Sequence, residues 1–271
     1  MLLKPLHGNH EGLAIDLKPL AQLRFATAIG QNLCSGVLAN LEGPLGTIIT
    51  VATQKGGAGK TTLTRILSVN LATTGWTVAV IDADPNRGFS EWSQVYTGPS
   101  LSVHTEPDEK KLANLPADLA EQYNAVIIDT AGFGSRSMLV AIGAADGVII
   151  PCMPDRGSVR EAEQTAEWVR NLSKSTRRSI DFRVVMTGFD PRRSADKYAY
   201  EQATTELGLP FLAARLSDRT AYQASSWSGT VPTDGVIGKE AKILSDEIIA
   251  LGWLKRAGAK PASKKNVAAA G

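Results

Sequence analysis

Residues 47–63 read TIITVATQKGGAGKTTL, and no other segment limits the fold as sharply. The β-branched run 47–53 has the composition of a buried strand. Gly56, Gly57 and Gly59 follow. Lacking Cβ atoms, they let the backbone wrap tightly and turn successive N–H groups toward an anion. Leu63, Ile66, Leu67 and Leu71 then fall on one face of a helix that should end near Gly75. The start of that helix adds the partial positive charge of its peptide dipoles to the loop. In a chain of this composition Gly-Gly-x-Gly-Lys-Thr-Thr arises by chance with odds on the order of 10⁻⁴. A phosphate site is therefore a better reading than an ordinary glycine-rich turn.

Further apolar runs at 77–81, 125–128, 148–151 and 182–187 suit buried strands, with weaker ones at 101–105 and 211–213. Helical spacing runs through 91–96, 158–173, 195–207 and 239–254. Continuous apolar strands alternating with helices imply an α/β fold, a mostly parallel twisted sheet with helices on both faces. Such sheets bind ligands beyond the carboxyl ends of their strands. The glycine loop, Asp82, Asp84 and Asp129 all fall there. Residues 1–46, which contain Pro5, Pro19 and Pro44, do not continue the pattern and read as an N-terminal extension to a domain spanning 47–254.

The net charge of +2 is unevenly spread. Residues 1–46 balance, 255–271 hold five basic residues and no acid, and 47–254 are therefore net −3. The basic end has the composition of a solvated, disordered tail that can meet an anionic polymer. Two distant cysteines, Cys34 and Cys152, and three scattered histidines offer neither a disulfide framework nor zinc spacing. No stretch reaches the roughly 18 to 20 apolar residues of a membrane span. The expected setting is the cytoplasm, without a membrane partner.

In the loop, Lys60 can reach the β- and γ-phosphates of a nucleotide and the Thr61 hydroxyl can ligate Mg²⁺. Asp129 closes a buried strand and offers a carboxylate opposite the loop, directly or through water; the plainer alternative is a turn cap before Gly132. Asp82 and Asp84 alternate along an extended chain, so both carboxylates face the same side. One can hold the metal's waters and the other orient the attacking water, unless they merely cap the turn before Pro85. A common phosphate loop reads Gly, four residues, Gly-Lys-Ser/Thr. Here Gln54 stands where the first glycine belongs, and a second lysine, Lys55, follows it. Lys55 either points to solvent or reaches across a two-fold interface to a partner's nucleotide, as arginine fingers do.

Lys55-Gly-Gly-Ala-Gly-Lys60-Thr-Thr62 together with Asp82-Ala-Asp84-Pro85 and Asp129 resembles the deviant Walker A P-loop ATPases of the ParA/MinD superfamily, closest to the small ParA-type partition ATPases. The resemblance covers about residues 47–254. It implies a P-loop NTPase fold, ATP and Mg²⁺ as cofactors, and a nucleotide cradle of Lys55, Gly56, Gly57, Ala58, Gly59, Lys60, Thr61 and Thr62. It implies Lys55 as the lysine that contacts the partner's phosphates, Asp84 as the water-activating residue, and Thr61, Asp82 and Asp129 around the metal. It further implies slow ATP hydrolysis, a homodimer closed by ATP, non-specific DNA as a partner, nucleoid association, and a centromere-binding adaptor that stimulates turnover. Candidate DNA contacts are Arg215, Arg219, Lys239, Lys242 and the tail lysines, and binding through them should fall steeply with salt. The 46-residue extension departs from the family pattern and is too short for a helix-turn-helix domain. MinD-like relatives end in an amphipathic membrane helix, and the final residues here lack the apolar face for one. Two other readings stay open: an accessory ATPase that recruits a conjugal-transfer complex or other cargo, and a metabolic P-loop synthetase.

Overall fold

The computed structural model describes residues 46–254 other than 133, 218 and 219. Residues 1–45 of the expected extension, the basic tail 255–271 and Arg219 lie outside them. Seven strands form one parallel sheet in the order β3-β2-β4-β1-β5-β6-β7. They are β1 (Thr47–Val51), β2 (Val78–Asp82), β3 (Ser102–Thr105), β4 (Ala125–Asp129), β5 (Gly147–Cys152), β6 (Asp181–Phe189) and β7 (Phe211–Ser217). Central β1 pairs Val51 with Asp129 of β4, and β4 in turn pairs Asp129 with Asp82 of β2. The register therefore aligns the ends of three strands.

All residues of β1, β2, β4 and β5 are buried, the burial pattern of a sheet covered on both faces. Alternate side chains divide between those faces. Ile49, Val51, Val80 and Ile127 pack under helices α1 (Lys60–Thr73) and α9 (Gly235–Ala250). Ile48, Ile81, Val126 and Ile128 pack on the other side against α3 (Glu109–Leu112), α4 (Leu115–Ala120) and α5 (Arg136–Ala144). Val148, Ile150, Val184 and Met186 meet α5 and α6 (Arg156–Thr176). Each fully buried aliphatic side chain of this kind contributes about 2 kcal/mol.

Several elements differ from the sequence expectation; the helix read over 91–96, for one, lies three residues earlier, at Gly88–Ser93. The helix read over 195–207 is α7 (Ser194–Glu201) followed by one π-helical turn, Gln202–Glu206. Strand β7 continues to Ser217 rather than ending at Ala213. The last helix begins at Gly235, four residues before the start inferred from periodicity. Two further helices, α2 (Gly88–Ser93) and α8 (Thr220–Ser228), flank the carboxyl ends of the strands. No helix among the described residues is long and apolar enough to cross a membrane.

Candidate functional site

The loop between β1 and α1 turns through two left-handed glycines, Gly57 (φ 75°) and Gly59 (φ 90°), a conformation that L side chains rarely tolerate. Gly59 is the residue before the first turn of α1. Side chains from neighbouring strands fix the loop in place. Thr187 Oγ1 of β6 donates to the Ala58 carbonyl at 2.9 Å, and Thr130 Oγ1 donates to the Val51 carbonyl at 2.9 Å. Gly132 sits so close that an added Cβ would lie 3.2 Å from the Gln54 carbonyl and 3.5 Å from Lys60 Nζ. The segment after β4 thus closes over the loop because it carries no side chain there.

Lys60 is buried, with Nζ donating to the Lys55 carbonyl at 3.1 Å. Burial lowers its pKa, while Asp129 and Asp84 oppose the shift. Asp129 is 1% exposed. Its Oδ1 accepts from Thr64 Oγ1 at 3.3 Å, and its Oδ2 has no hydrogen-bond partner. Burial pushes its pKa up to about 7; the Thr61 hydroxyl and Lys60 pull it down, and Asp82 and Asp84 push it further up. Asp82 is fully buried and already committed to backbone. Its Oδ1 accepts from Asp84 N at 3.2 Å and its Oδ2 from Ser90 N at 2.7 Å. Asp84 is half-buried, with Oδ1 accepting from Asn86 N at 2.8 Å. Arg87, just beyond, holds a left-handed φ of 53°, a strained position beside the aspartate pair.

Thr61 lies near the Asp129 carboxylate and against Gly88, where a Cβ would meet its Oγ1 at 3.9 Å. A metal can be fitted here on one observation. A buried carboxylate oxygen without a partner faces the loop, beside a hydroxyl. Among the described residues no group of three or more His, Cys, Asp or Glu side chains could hold a metal by itself. Mg²⁺ needs only one or two protein ligands, the rest of its shell coming from phosphate and water oxygens. Of the three residues expected around the metal, Thr61 and Asp129 stand together beside the loop, and Asp82, one strand over, has both oxygens accepting backbone N–H groups.

Lys55 has partners of its own, distinct from those of Lys60. Its Nζ donates to both oxygens of Asp155, at 2.8 and 2.7 Å, and to Ser158 Oγ at 2.8 Å. Asp155 also caps α6, accepting from Ser158 N at 3.0 Å and Ser158 Oγ at 2.8 Å. Sequence reading did not identify this partner. The signal was available only as an Asp-x-x-Ser cap at the start of a periodic segment.

A cavity of about 200 Å³ opens beside the loop, on the side away from the aspartates. Gly57, Gly59 and Thr62 form one wall; Met153, Thr187, Gly188, Leu216, Ser217, Tyr222 and Gln223 complete it. None of the residues beyond the loop was foreseen, since they come from the ends of β5, β6 and β7 and from α8.

The candidate DNA contacts are scattered in environment. Arg215 stacks its guanidinium over Phe189 (4.7 Å) and Tyr200 (4.2 Å), so packing already occupies it. Lys242 pairs with Asp246 at 2.5 Å. Lys239 is exposed. Between β6 and α7 and on the first turns of α7 lies a cluster that sequence reading did not name: Arg192, 88% exposed and bonded to Asp190 at 2.8 and 3.0 Å, Arg193, 55% exposed and 3.9 Å from the same carboxylate, and exposed Lys197 and Tyr198.

Residues 49–231 match the family described as the CobQ/CobB/MinD/ParA nucleotide binding domain. A protein named ParA from Rhizobium radiobacter is 30% identical over 179 residues, covering 65% of this chain and 81% of that protein. The maintenance of carboxysome distribution protein A of Halothiobacillus neapolitanus is 26% identical over 213 residues, covering 74% and 92%. Among solved structures, the septum site-determining protein MinD from Pyrococcus horikoshii, complexed with Mg-ADP, superposes with a TM-score of 0.60 at 18% identity, covering 77% of this chain and 98% of that one. The family model spans the loop, both aspartate segments and the cavity wall, and this chain belongs to the CobQ/CobB/MinD/ParA family of nucleotide-binding ATPases.

Proposed function

We propose that this protein is an ATP-switched partition ATPase whose nucleotide-bound form is a homodimer that binds DNA without sequence preference. The observation that carries the reading is the second lysine. Lys55 Nζ is held at the protein surface by Asp155 and Ser158 rather than in the loop, its side chain 31% exposed. A cation placed there serves its own nucleotide poorly and a neighbour's well. The relative named ParA supports the same role.

In the mechanism we assign, the N–H groups of residues 56–61 and the Lys60 ammonium hold the phosphates, while Thr61 and Asp129 hold Mg²⁺. Bound there, Mg²⁺ neutralises charge on the phosphate oxygens. Asp84 orients the attacking water and accepts its proton, and Asp82 fixes the Asp84 segment through its two backbone bonds. The cavity beyond Thr62 takes the base. Lys55 of each subunit stabilises charge on the other subunit's phosphoryl group. Arg192, Arg193 and Lys197 join Lys239 as phosphate contacts for DNA, with Tyr198 available for stacking. An adaptor bound at a centromere-like site stimulates turnover.

The test is DNA binding by the purified protein with ATP, ADP or no nucleotide, run beside light scattering for mass. The reading expects a dimer and DNA retention with ATP alone. Equal binding in all three states, or ATP-independent monomers, would refute it. A second reading rests on the carboxysome-distribution relative: the same ATP cycle positions or recruits another cargo, a conjugal-transfer complex included. It predicts the same dimer with a protein partner that binds independently of DNA.

A further inference from the structure

Helix α9 places two glutamates seven residues apart on the face that meets the edge strand β7. Glu247 accepts from Ala213 N at 2.8 Å and Ala214 N at 2.6 Å, near the start of the strand. Glu240 works at its other end. Its Oε2 accepts from Ser217 N at 3.0 Å and also from the Tyr222 hydroxyl. Ser217 and Tyr222 both line the cavity beside the phosphate loop, and Glu240 does not. One carboxylate oxygen therefore ties the end of β7, the start of α8 and the body of α9 to each other, directly behind the cavity wall.

We propose that Glu240 is a positioning residue for the base subsite, holding Ser217 and Tyr222 in the places that make this wall fit a nucleobase. The inference rests on the nucleotide reading of the site. Its physical basis is local. Ser217 and Tyr222 stand at element ends, Ser217 as the last residue of β7 and Tyr222 in the first turn of α8. A phenol and a backbone N–H that share one ionised acceptor are held by charge-assisted bonds, which are shorter and stronger than neutral ones. Deleting the acceptor removes the bond that links the Tyr222 hydroxyl to α9 at the edge of the space a base would fill. Glu247 makes the same type of bond to the same strand away from the cavity, so it serves as the matched structural control.

The experiment measures affinity for a fluorescent ADP analogue in wild type, Glu240→Ala, Glu240→Gln, Tyr222→Phe and Glu247→Ala, with melting temperature recorded for each. Competition by inorganic tripolyphosphate reads the phosphate subsite alone. Loss of hydrogen bonds to a charged acceptor should raise the Kd of Glu240→Ala about tenfold or more, with tripolyphosphate competition unchanged. Glu240→Gln keeps an acceptor oxygen and should stay within about threefold of wild type. Tyr222→Phe should fall between them. Glu247→Ala should lose melting temperature but keep its affinity. If Glu240→Ala binds the analogue as tightly as wild type, or loses tripolyphosphate in equal proportion, the positioning role is wrong. A wild type that binds tripolyphosphate but no adenine nucleotide overturns this proposal while sparing the phosphate loop; a wild type that binds neither overturns the nucleotide reading with it.

Discussion

Asp129→Asn should make the nucleotide-free protein more stable and the ATPase inactive. The carboxyl is 1% exposed, and burial is the main reason that its pKa rises from 3.8 to about 7. The folded state then binds more protons than the unfolded one between about pH 4 and pH 7, so stability falls as pH rises through that window and the full cost is present above it. At about 1.4 kcal/mol per pH unit the cost reaches about 4 kcal/mol, of which about 2 kcal/mol appears between pH 5.5 and pH 8. Asparagine fills the same volume and keeps an oxygen for Thr64, but it has no proton to lose. Urea unfolding in EDTA without nucleotide, at pH 4, 5.5 and 8, measures this directly. The variant and wild type should be closely matched at pH 4 and should separate by a few kcal/mol at pH 8, with the variant on top. The same variant should lose Mg²⁺-dependent hydrolysis, because a neutral amide is a poor ligand for a hard cation. Parallel pH profiles, or a variant less stable at pH 8, would refute the claim that burial outweighs the bonds to the Asp129 carboxylate.

Asp155→Ala removes the cap of α6 and the partner of Lys55, and should cost about 1 kcal/mol at pH 7. Although burial raises its pKa, bonds from Lys55 and Ser158 hold the carboxyl net below its usual range. The difference should therefore shrink as acid protonates Asp155 in wild type, a trend that paired denaturation curves at pH 7 and pH 3 would show. Gly229→Ala puts a Cβ 1.9 Å from the Val95 carbonyl at a φ of +64°, and should lower stability by about 3 kcal/mol or more, read by thermal melting. Arg192→Ala with Arg193→Ala should weaken ATP-dependent DNA binding and flatten its salt dependence by about 2 in the log–log slope, one for each phosphate no longer neutralised; an unchanged slope would move the DNA surface elsewhere.

The centre of this molecule was legible because its chemistry and its periodicity agree. Four buried strands are continuous apolar runs, and the loop between β1 and α1 has a composition that little else requires. What sequence reading missed has identifiable causes. Helix α5 lies in RSMLVAIGAADGVII, where it is almost wholly apolar and only Ala145-Asp146 separates it from β5, so no helical period stands out. Helix α8, TAYQASSWS, buries only Ser225 among its described side chains and carries Trp227 87% exposed, so it has no apolar stripe to detect. Helix α3 spans four residues and depends on the Asp108 cap. The cavity wall was invisible for another reason. Met153, Thr187, Leu216 and Tyr222 are ordinary residues in sequence, and only the parallel order β1-β5-β6-β7 brings their strand ends beside the loop.

The two lysines of the loop are linked to each other. Lys60 Nζ is bonded to the carbonyl of Lys55, and Lys55 Nζ is bonded to Asp155. Drawing Lys60 onto a phosphate removes the donor that holds the backbone of Lys55. The pair with Asp155 does not oppose a partner's nucleotide strongly: its side chains are 31% and 48% exposed, and an ion pair in that setting is worth about 1 kcal/mol or less. A phosphate group offers more charge and more acceptors than one carboxylate. Lys55→Ala should therefore keep ATP affinity within about threefold, since no bond to its own subunit's phosphates is removed, yet fail to dimerise or hydrolyse ATP. Lys60→Ala should lose ATP affinity outright. Equilibrium binding and sedimentation on both variants separate the roles. A Lys55→Ala protein that dimerises with ATP and turns it over normally would return Lys55 to the status of a surface residue paired with its neighbour.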